Sequence, residues 1–338
     1  MTRLTKFLKY AALIFVFLIA LIALFFGYKD KSVEELKTKY AQTPSQFIEV
    51  NGMNVHYRDE GNPNDSVPLV LIHGTGSSLH TFDEWTKILL SAEKSRTLTG
   101  RGSHRIVRMD IPAFGLTGPD PQHDYSMEKY VNFIHNFLEA KGVKQCILAG
   151  NSLGGQISWQ FALKNPQKVA KLILIDAAGY AMKSQKPVLA FQVARMPVIK
   201  NFMTFITPYH LARESVESVY ADKSKVTDAL VTRYFELTLR EGNRQAFVDR
   251  LNMLYDTANI PMIKTIQTPT LVLWGEQDLL IPMDNAQRFH DDLPNDTLVI
   301  LKNMGHVPME ENPAESLKPV LDFLRRNATH DTQKPFKY

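Results

Sequence analysis

Apolar and polar positions follow two different rhythms along this chain. Phe47-Ile-Glu-Val-Asn51 and Asn54-Val-His-Tyr-Arg58 alternate about Asn51-Gly52. Asn-Gly between alternating runs predicts an antiparallel hairpin. Six short runs are mainly apolar instead: Leu69–Ile72, Arg105–Met109, Cys146–Ala149, Leu172–Ile175, Thr270–Leu273 and Thr297–Leu301. Mainly apolar runs of this length predict strands buried on both faces. Helical periodicity separates them. It covers Leu79–Leu90, Met127–Ala140 (apolar at Tyr130, Val131, Ile134, Phe137 and Leu138), Leu153 to about Leu163, Asp284–Asp291, and a last helix opened by Asn312-Pro313. Strand and helix in alternation, with short links, predict a mostly parallel sheet reached by right-handed crossovers. Together with the hairpin this makes eight strands.

The alternation pauses over residues 179–261. Val188–Pro197 and Phe202-Met-Thr-Phe-Ile206 are too apolar there for a solvated linker. The region predicts helices inserted between two strands as a cap above their carboxyl ends. Phe202 and Phe205 are its candidate acyl-binding side chains, the alternative being an ordinary helical bundle with its own core. Tyr10–Tyr28 is uncharged and long enough to cross a bilayer, about 19 residues. Arg3, Lys6 and Lys9 precede it, no small-x-small cleavage site closes it, and no cysteine follows to take a lipid. The expectation is an uncleaved single-pass anchor, with its N-terminus cytoplasmic and the folded body on the periplasmic or extracellular side. The expected division is an anchor at 1–31, a stalk at 32–45, a core at 46–178 and 262–326, the cap at 179–261, and a loose tail at 327–338.

Composition adds little beyond this. Hydrophobic residues make up 44% and charged residues 22% of the 338, as in a globular protein. The single cysteine, Cys146, excludes an intramolecular disulfide. The net charge of +4 resides in residues 1–31, which hold five Lys/Arg and one Asp. The body is neutral, which argues against a nucleic-acid partner.

The candidate chemistry lies just past the strand ends, where open parallel sheets gather their reacting groups. Gly150-Asn-Ser-Leu-Gly154 joins an apolar run to a helical one. A serine on so sharp a turn needs small neighbours, because any Cβ there collides with strand or helix. The motif holds the Ser152 hydroxyl in the open. A serine needs a base, and the base needs an orienting carboxylate. His306 follows the last strand behind Gly305, and Asp278 follows the strand before it. Asp176 also ends a strand, with a turn cap as its expected role. Asp110 is read as structural, His73 as a buttress of its loop, and His56 as a solvated side chain on an edge strand. The Leu153 and Thr75 N–H groups are the candidate oxyanion donors, with Gly74 and Gly76 freeing the second.

His73-Gly-Thr-Gly76, Asp110–Gly118, Gly150-Asn-Ser-Leu-Gly-Gly155, Trp274–Asp278 and Gly305-His306 together resemble the α/β-hydrolase superfamily over about residues 45–326. The resemblance implies the α/β-hydrolase fold: a mostly parallel eight-stranded sheet with an inserted helical cap, here behind an N-terminal transmembrane helix. It implies a Ser152–His306–Asp278 triad that needs no metal or organic cofactor. Serine at the elbow departs from the epoxide hydrolases and haloalkane dehalogenases. Gly-Asn-Ser-x-Gly-Gly also resembles the meta-cleavage-product hydrolases, which break carbon–carbon bonds. Those usually carry Trp after the catalytic His, where this chain has Val307. The expected function is a membrane-anchored serine esterase or lipase acting on a small-molecule or lipid ester. The alternatives are a carbon–carbon bond hydrolase and a catalytically silent binding member of the fold.

Overall fold

Eight strands form one sheet in the spatial order β1-β2-β4-β3-β5-β6-β7-β8. They are β1 (Gln46–Val50), β2 (Met53–Gly61), β3 (Leu69–Ile72), β4 (Arg105–Met109), β5 (Cys146–Asn151), β6 (Val169–Ile175), β7 (Thr270–Gly275) and β8 (Asp296–Leu301). The computed structural model describes residues 27–94, 104–181, 204–253 and 257–325, with isolated positions between residues 3 and 17. β1 and β2 form the expected hairpin, with both turn residues, Asn51 and Gly52, at positive φ. β2 also pairs antiparallel with β4, and every later pairing is parallel.

The side-chain period of two divides the sheet cleanly. Val70, Ile72, Val107, Leu148, Leu172, Leu174, Val272 and Trp274 enter one apolar layer. Helices α3 (Met127–Ala140), α4 (Leu153–Lys164) and α8 (Asp284–Asp292) cover that face, through residues such as Phe133, Phe137, Ile157 and Phe289. Leu69, Leu71, Ile106, Ile147, Ile173, Ile175, Leu271 and Leu273 enter the opposite layer. Helices α2 (Asp83–Lys94) and α10 (Pro313–Arg325) close that side. Trp85 Nε1 donates to Ser316 Oγ at 3.0 Å, so a fully buried indole also satisfies its polar handle.

The inserted region contributes helices α5 (Tyr209–Glu217), α6 (Asp228–Thr238) and α7 (Asn243–Asn252). Its apolar stretch Val188–Pro197, and Phe202, lie outside the described residues, as does the tail 327–338. Among the described residues no helix is long and apolar enough to cross a membrane, and most of Tyr10–Tyr28 lies outside them.

The expected stalk is corrected. Ser32 does open helix α1 (Val33–Tyr40), accepting from the Glu35 N–H. That helix is docked on the body instead of standing off it, with Leu36 and Tyr40 buried against Leu116 and Leu237. The preceding segment is stitched to the insert as well. Tyr28 N donates to Phe205 O (3.2 Å), Lys31 N to Leu239 O (2.7 Å), and Glu241 N to Lys31 O (2.9 Å). Arg244 grips the Asp30 carboxylate at 2.6 Å. Residues 28–40 therefore belong to the folded body.

Candidate active site

Ser152 stands where β5 turns into α4, with φ 56° and ψ −116°. Those angles are sterically costly for a residue with a Cβ, and the surroundings hold them in place. A Cβ on Gly150 would meet Gly154 O at 2.1 Å, and one on Gly154 would meet Ile72 O at 2.2 Å. The small residues are thus required by strand and helix, as the motif predicts. Ser152 N donates to Ile175 O (3.0 Å), and Ser152 O accepts from Gln156 N and Ala178 N (3.0 Å each). Ser152 as a whole residue is 9% exposed.

The loops after β7 and β8 meet beside it. His306 Nδ1 lies 2.7 Å from Asp278 Oδ2, both side chains buried. Asp278 Oδ1 accepts from the Leu280 and Ile281 N–H groups at 2.8 and 3.0 Å. Trp274 Nε1 donates to Ile281 O at 3.0 Å and so pins the far side of that loop to β7. The anionic acceptor fixes the imidazole with its proton on Nδ1 and Nε2 free to accept.

The His306 loop is clamped from two sides. Asn151 Nδ2 donates to His306 O (2.9 Å) and to Ile175 O (3.2 Å), tying the residue before Ser152 to the histidine. From the insert, Val219 O accepts the His306 N–H at 2.8 Å. In α9 (Pro308–Glu311), Glu311 accepts the Gly305 and Asp222 N–H groups, both at 2.7 Å. Its neighbour Glu310 accepts from the Tyr220 and Tyr234 hydroxyls at 3.0 Å and pairs with Arg233. Tyr234 reaches Ser77 as well, at 3.2 Å. Helix α6 thereby bridges the loop after β3 and the loop after β8.

The loop after β3 comes up against the serine, since a Cβ on Gly74 would lie 3.0 Å from Ser152 Cβ. His73 Nδ1 donates to Gly74 O at 2.8 Å, and His73 Nε2 accepts the Ile111 N–H at 3.1 Å. This arrangement requires a neutral ring, and full burial lowers the His73 pKa accordingly. Gly74 O belongs to the peptide whose N–H is that of Thr75. In a trans peptide the two bonds point opposite ways, so holding the carbonyl aims the N–H. Among the described residues neither the Thr75 nor the Leu153 N–H has a hydrogen-bond partner.

Four further readings change or sharpen. β2 lies between β1 and β4, so His56 is not on an edge strand and is fully buried. Its ring joins Asp110 Oδ2 (2.8 Å) and Ser45 Oγ (2.9 Å). Asp110 also accepts the Leu79 and Leu116 N–H groups, both at 2.7 Å, and organises the loops around it. Burial works against its charge, but the His56 ring and these donors outweigh it and hold the carboxyl at about 2. Phe205 does not fit an acyl wall: its side chain is 70% exposed, and its carbonyl makes the contact with Tyr28. Phe202 lies outside the described residues. Asp176 lies beside Asp278 and His306, with one ligand atom from each of the three falling within 4.8 Å of the others.

Asn151, Glu310 and Glu311 escaped sequence reasoning. Only Asn151 carried a signal, its place beside the elbow serine. Apart from Gly305, six residues before Glu311, the partners of the two glutamates lie 76 to 90 residues away in sequence.

A strained serine between strand and helix, with an Asp–His pair past the ends of the last two strands, defines an α/β protein built around a nucleophile elbow. The chain belongs to the alpha/beta hydrolase fold family, whose model matches residues 67–313. It is 29% identical over 289 residues to the uncharacterized hydrolase YugF of Bacillus subtilis, covering 84% of this chain and 99% of that one. It is 24% identical over 288 residues to the 2-hydroxy-6-oxo-6-(2'-aminophenyl)hexa-2,4-dienoic acid hydrolase of Metapseudomonas resinovorans (84% and 91% covered). To Lipase 3 of a Moraxella strain it is 28% identical over 281 residues (78% and 81% covered).

Proposed function

We propose that this protein is a membrane-anchored serine hydrolase that cleaves carboxylic esters. The observation that carries the reading is the Asp278–His306 pair at 2.7 Å, with the His306 loop tied at its main chain by Asn151, next to Ser152. In this reading His306 Nε2 takes the Ser152 proton as Oγ attacks the ester carbonyl. The oxyanion accepts from Thr75 N–H and Leu153 N–H, each donor contributing about 3 kcal/mol in sites of this kind. Collapse expels the alcohol, which takes the proton back from His306. Water then repeats the sequence on the acyl-enzyme and releases the acid. Asp278 keeps the proton on Nδ1 throughout and stabilises the imidazolium.

The lipase relative supports an ester substrate, as does Val307 in place of the tryptophan usual in carbon–carbon hydrolases. The dienoic acid hydrolase relative and the Gly-Asn-Ser-Leu-Gly-Gly elbow favour the second reading, cleavage of a carbon–carbon bond in a vinylogous diketone. A p-nitrophenyl ester series of rising acyl length, run beside a 2-hydroxy-6-oxo-dienoate, separates them. Turnover of the esters alone is expected. Turnover of the dienoate at higher kcat/KM would reverse the assignment. Absence of both, with no fluorophosphonate labelling of Ser152, would make the protein a silent binding member.

The anchor is the run Tyr10–Tyr28, with the body on the outer side of the membrane. The run ends where Tyr28 joins the insert at Phe205, and these two aromatics are 38% and 70% exposed. Exposed aromatic rings beside a span suit the headgroup level of a bilayer. Full-length protein is expected to sediment with membranes through a high-salt wash, whereas a chain beginning at Gly27 is expected in the supernatant with full ester turnover. A chain beginning at Ser45 loses the buried Leu36 and Tyr40, each contributing about 2 kcal/mol. Its melting temperature is expected about 5–10 °C below that of the Gly27 chain. Salt release of the full-length protein would refute the anchor, and equal melting of the two shortened chains would refute the docking of α1.

A further inference from the structure

We infer that Asp176 is a neutral carboxylic acid that donates its O–H to Asp278, and that it is a positioning residue for the Asp278–His306 pair. The inference rests on the triad reading above and adds a fourth residue to it.

The geometry begins at the end of β6. Asp176 holds φ 43°, an uncommon backbone state for a residue with a side chain, and is fully buried. Its main chain is fixed by the Asp176 N–H to Leu273 O bond at 2.9 Å. One side-chain oxygen, Oδ1, accepts the Gly275 N–H at 2.8 Å. The other, Oδ2, is sealed from solvent and, among the described residues, without a donor to accept from. A buried carboxylate oxygen left in that state is costly, whereas a buried hydroxyl needs only an acceptor. The acceptor at hand is the Asp278 carboxylate, within the same 4.8 Å cluster. A turn cap, the role expected of Asp176 from the sequence, would leave Oδ2 unexplained.

Two carboxylates this close in a sealed site share one proton. The donors decide which of them keeps it. Asp278 receives three N–H donors, from Leu280, Ile281 and His306, all of which favour its anion. Asp176 receives one. Among the described residues, the charged and titratable groups facing Asp176 are Asp278 from the β7 loop, His306 from the β8 loop and Glu311 from α9, while Ser152 and Asn151 on the β5 side are neutral. Glu311 is already satisfied by the Gly305 and Asp222 N–H groups. Burial first, and then the Asp278 charge, push the Asp176 carboxyl well above the ordinary carboxylate range.

The O–H gives Asp278 a fourth donor. It fixes the rotation of that carboxylate and draws part of its negative charge away from His306. Without it, more of the charge falls on the imidazole and favours the protonated ring, which cannot act as a base.

Three variants test this: Asp176→Asn, Asp176→Ala and the volume-filling Asp176→Leu. The asparagine amide accepts from Gly275 and donates to Asp278, so it reproduces the neutral acid. Infrared difference spectra at neutral pH are expected to show a protonated-carboxyl C=O band in the wild type and in Ser152→Ala, and to lack it in Asp176→Asn. The acid limb of the kcat/KM–pH profile is expected to keep its wild-type position in Asp176→Asn. It is expected to move up by about one pH unit in the alanine and leucine variants. A wild type without the carboxyl band overturns the inference. So does an Asp176→Asn limb displaced like that of Asp176→Leu, or three variants that all keep the wild-type limb. The infrared band is read without turnover. Failure of the triad reading, seen as activity retained in Ser152→Ala, therefore remains distinguishable from failure of this one.

Discussion

Ser152→Ala is expected to lower kcat for the hydrolysed ester by about 10⁴- to 10⁶-fold and to leave the melting temperature unchanged. The size of the effect follows from the chemistry: without Oγ there is no acyl-enzyme, and only the oxyanion donors and the bound geometry remain. The silence on stability follows from the local structure. Ser152 Oγ makes no capping bond to α4, so its removal orphans no buried donor. Alanine carries the same Cβ at φ 56°, so the strain of the elbow neither grows nor relaxes. Glycine would be the misleading choice, since it would relax that strain and change stability together with chemistry. Steady-state turnover, fluorophosphonate labelling and thermal melting on the same preparation give the result. A folded Ser152→Ala protein that keeps most of its turnover removes this residue from the mechanism.

Much of the fold was legible because buried parallel strands announce themselves. β3 has no polar residue and β4 is buried over four of its five positions, so their runs stand out at their observed bounds, and the helix Met127–Ala140 keeps a clear 3.6-residue stripe. The candidate site was legible because topology sends Ser152, Asp278 and His306 to the same end of the sheet. What stayed hidden depends on contacts distant in sequence. His56 reads as solvated because local alternation is silent about β4 arriving on its far side. α1 reads as a charged stalk because Leu36 and Tyr40 are its only two buried positions, and Leu237, some 200 residues on, is what buries them. Asp176 reads as a cap because its sequence neighbours hold no hint of Asp278, which reaches it only through the pairing of β6 with β7.

Asp278→Asn is expected to lower kcat by about 10⁴-fold with little change in KM, and hydrogen bonding explains why a substitution of one atom does so much. The Leu280 and Ile281 N–H groups both point at Oδ1 of the native carboxylate, at 2.8 and 3.0 Å. Both are donors, so the asparagine must turn its carbonyl oxygen to them. Its NH₂ group then faces His306 Nδ1, where the native structure has an acceptor at 2.7 Å. Two N–H groups cannot share that space, so the imidazole moves its proton to Nε2 and presents Nδ1 as the acceptor. The fold survives, but Nε2 now carries a hydrogen where the Ser152 proton has to go. Asp278→Ala should be less informative, because the vacated space admits water and leaves the tautomer free. Nitrogen-15 chemical shifts of His306 report the switch directly, with the protonated nitrogen changing from Nδ1 to Nε2 in Asp278→Asn. A variant that switches tautomer yet stays within tenfold of wild-type kcat would contradict the base role of Nε2. One that keeps the native tautomer would show that another carboxylate orients His306, and Asp176 is the one within reach.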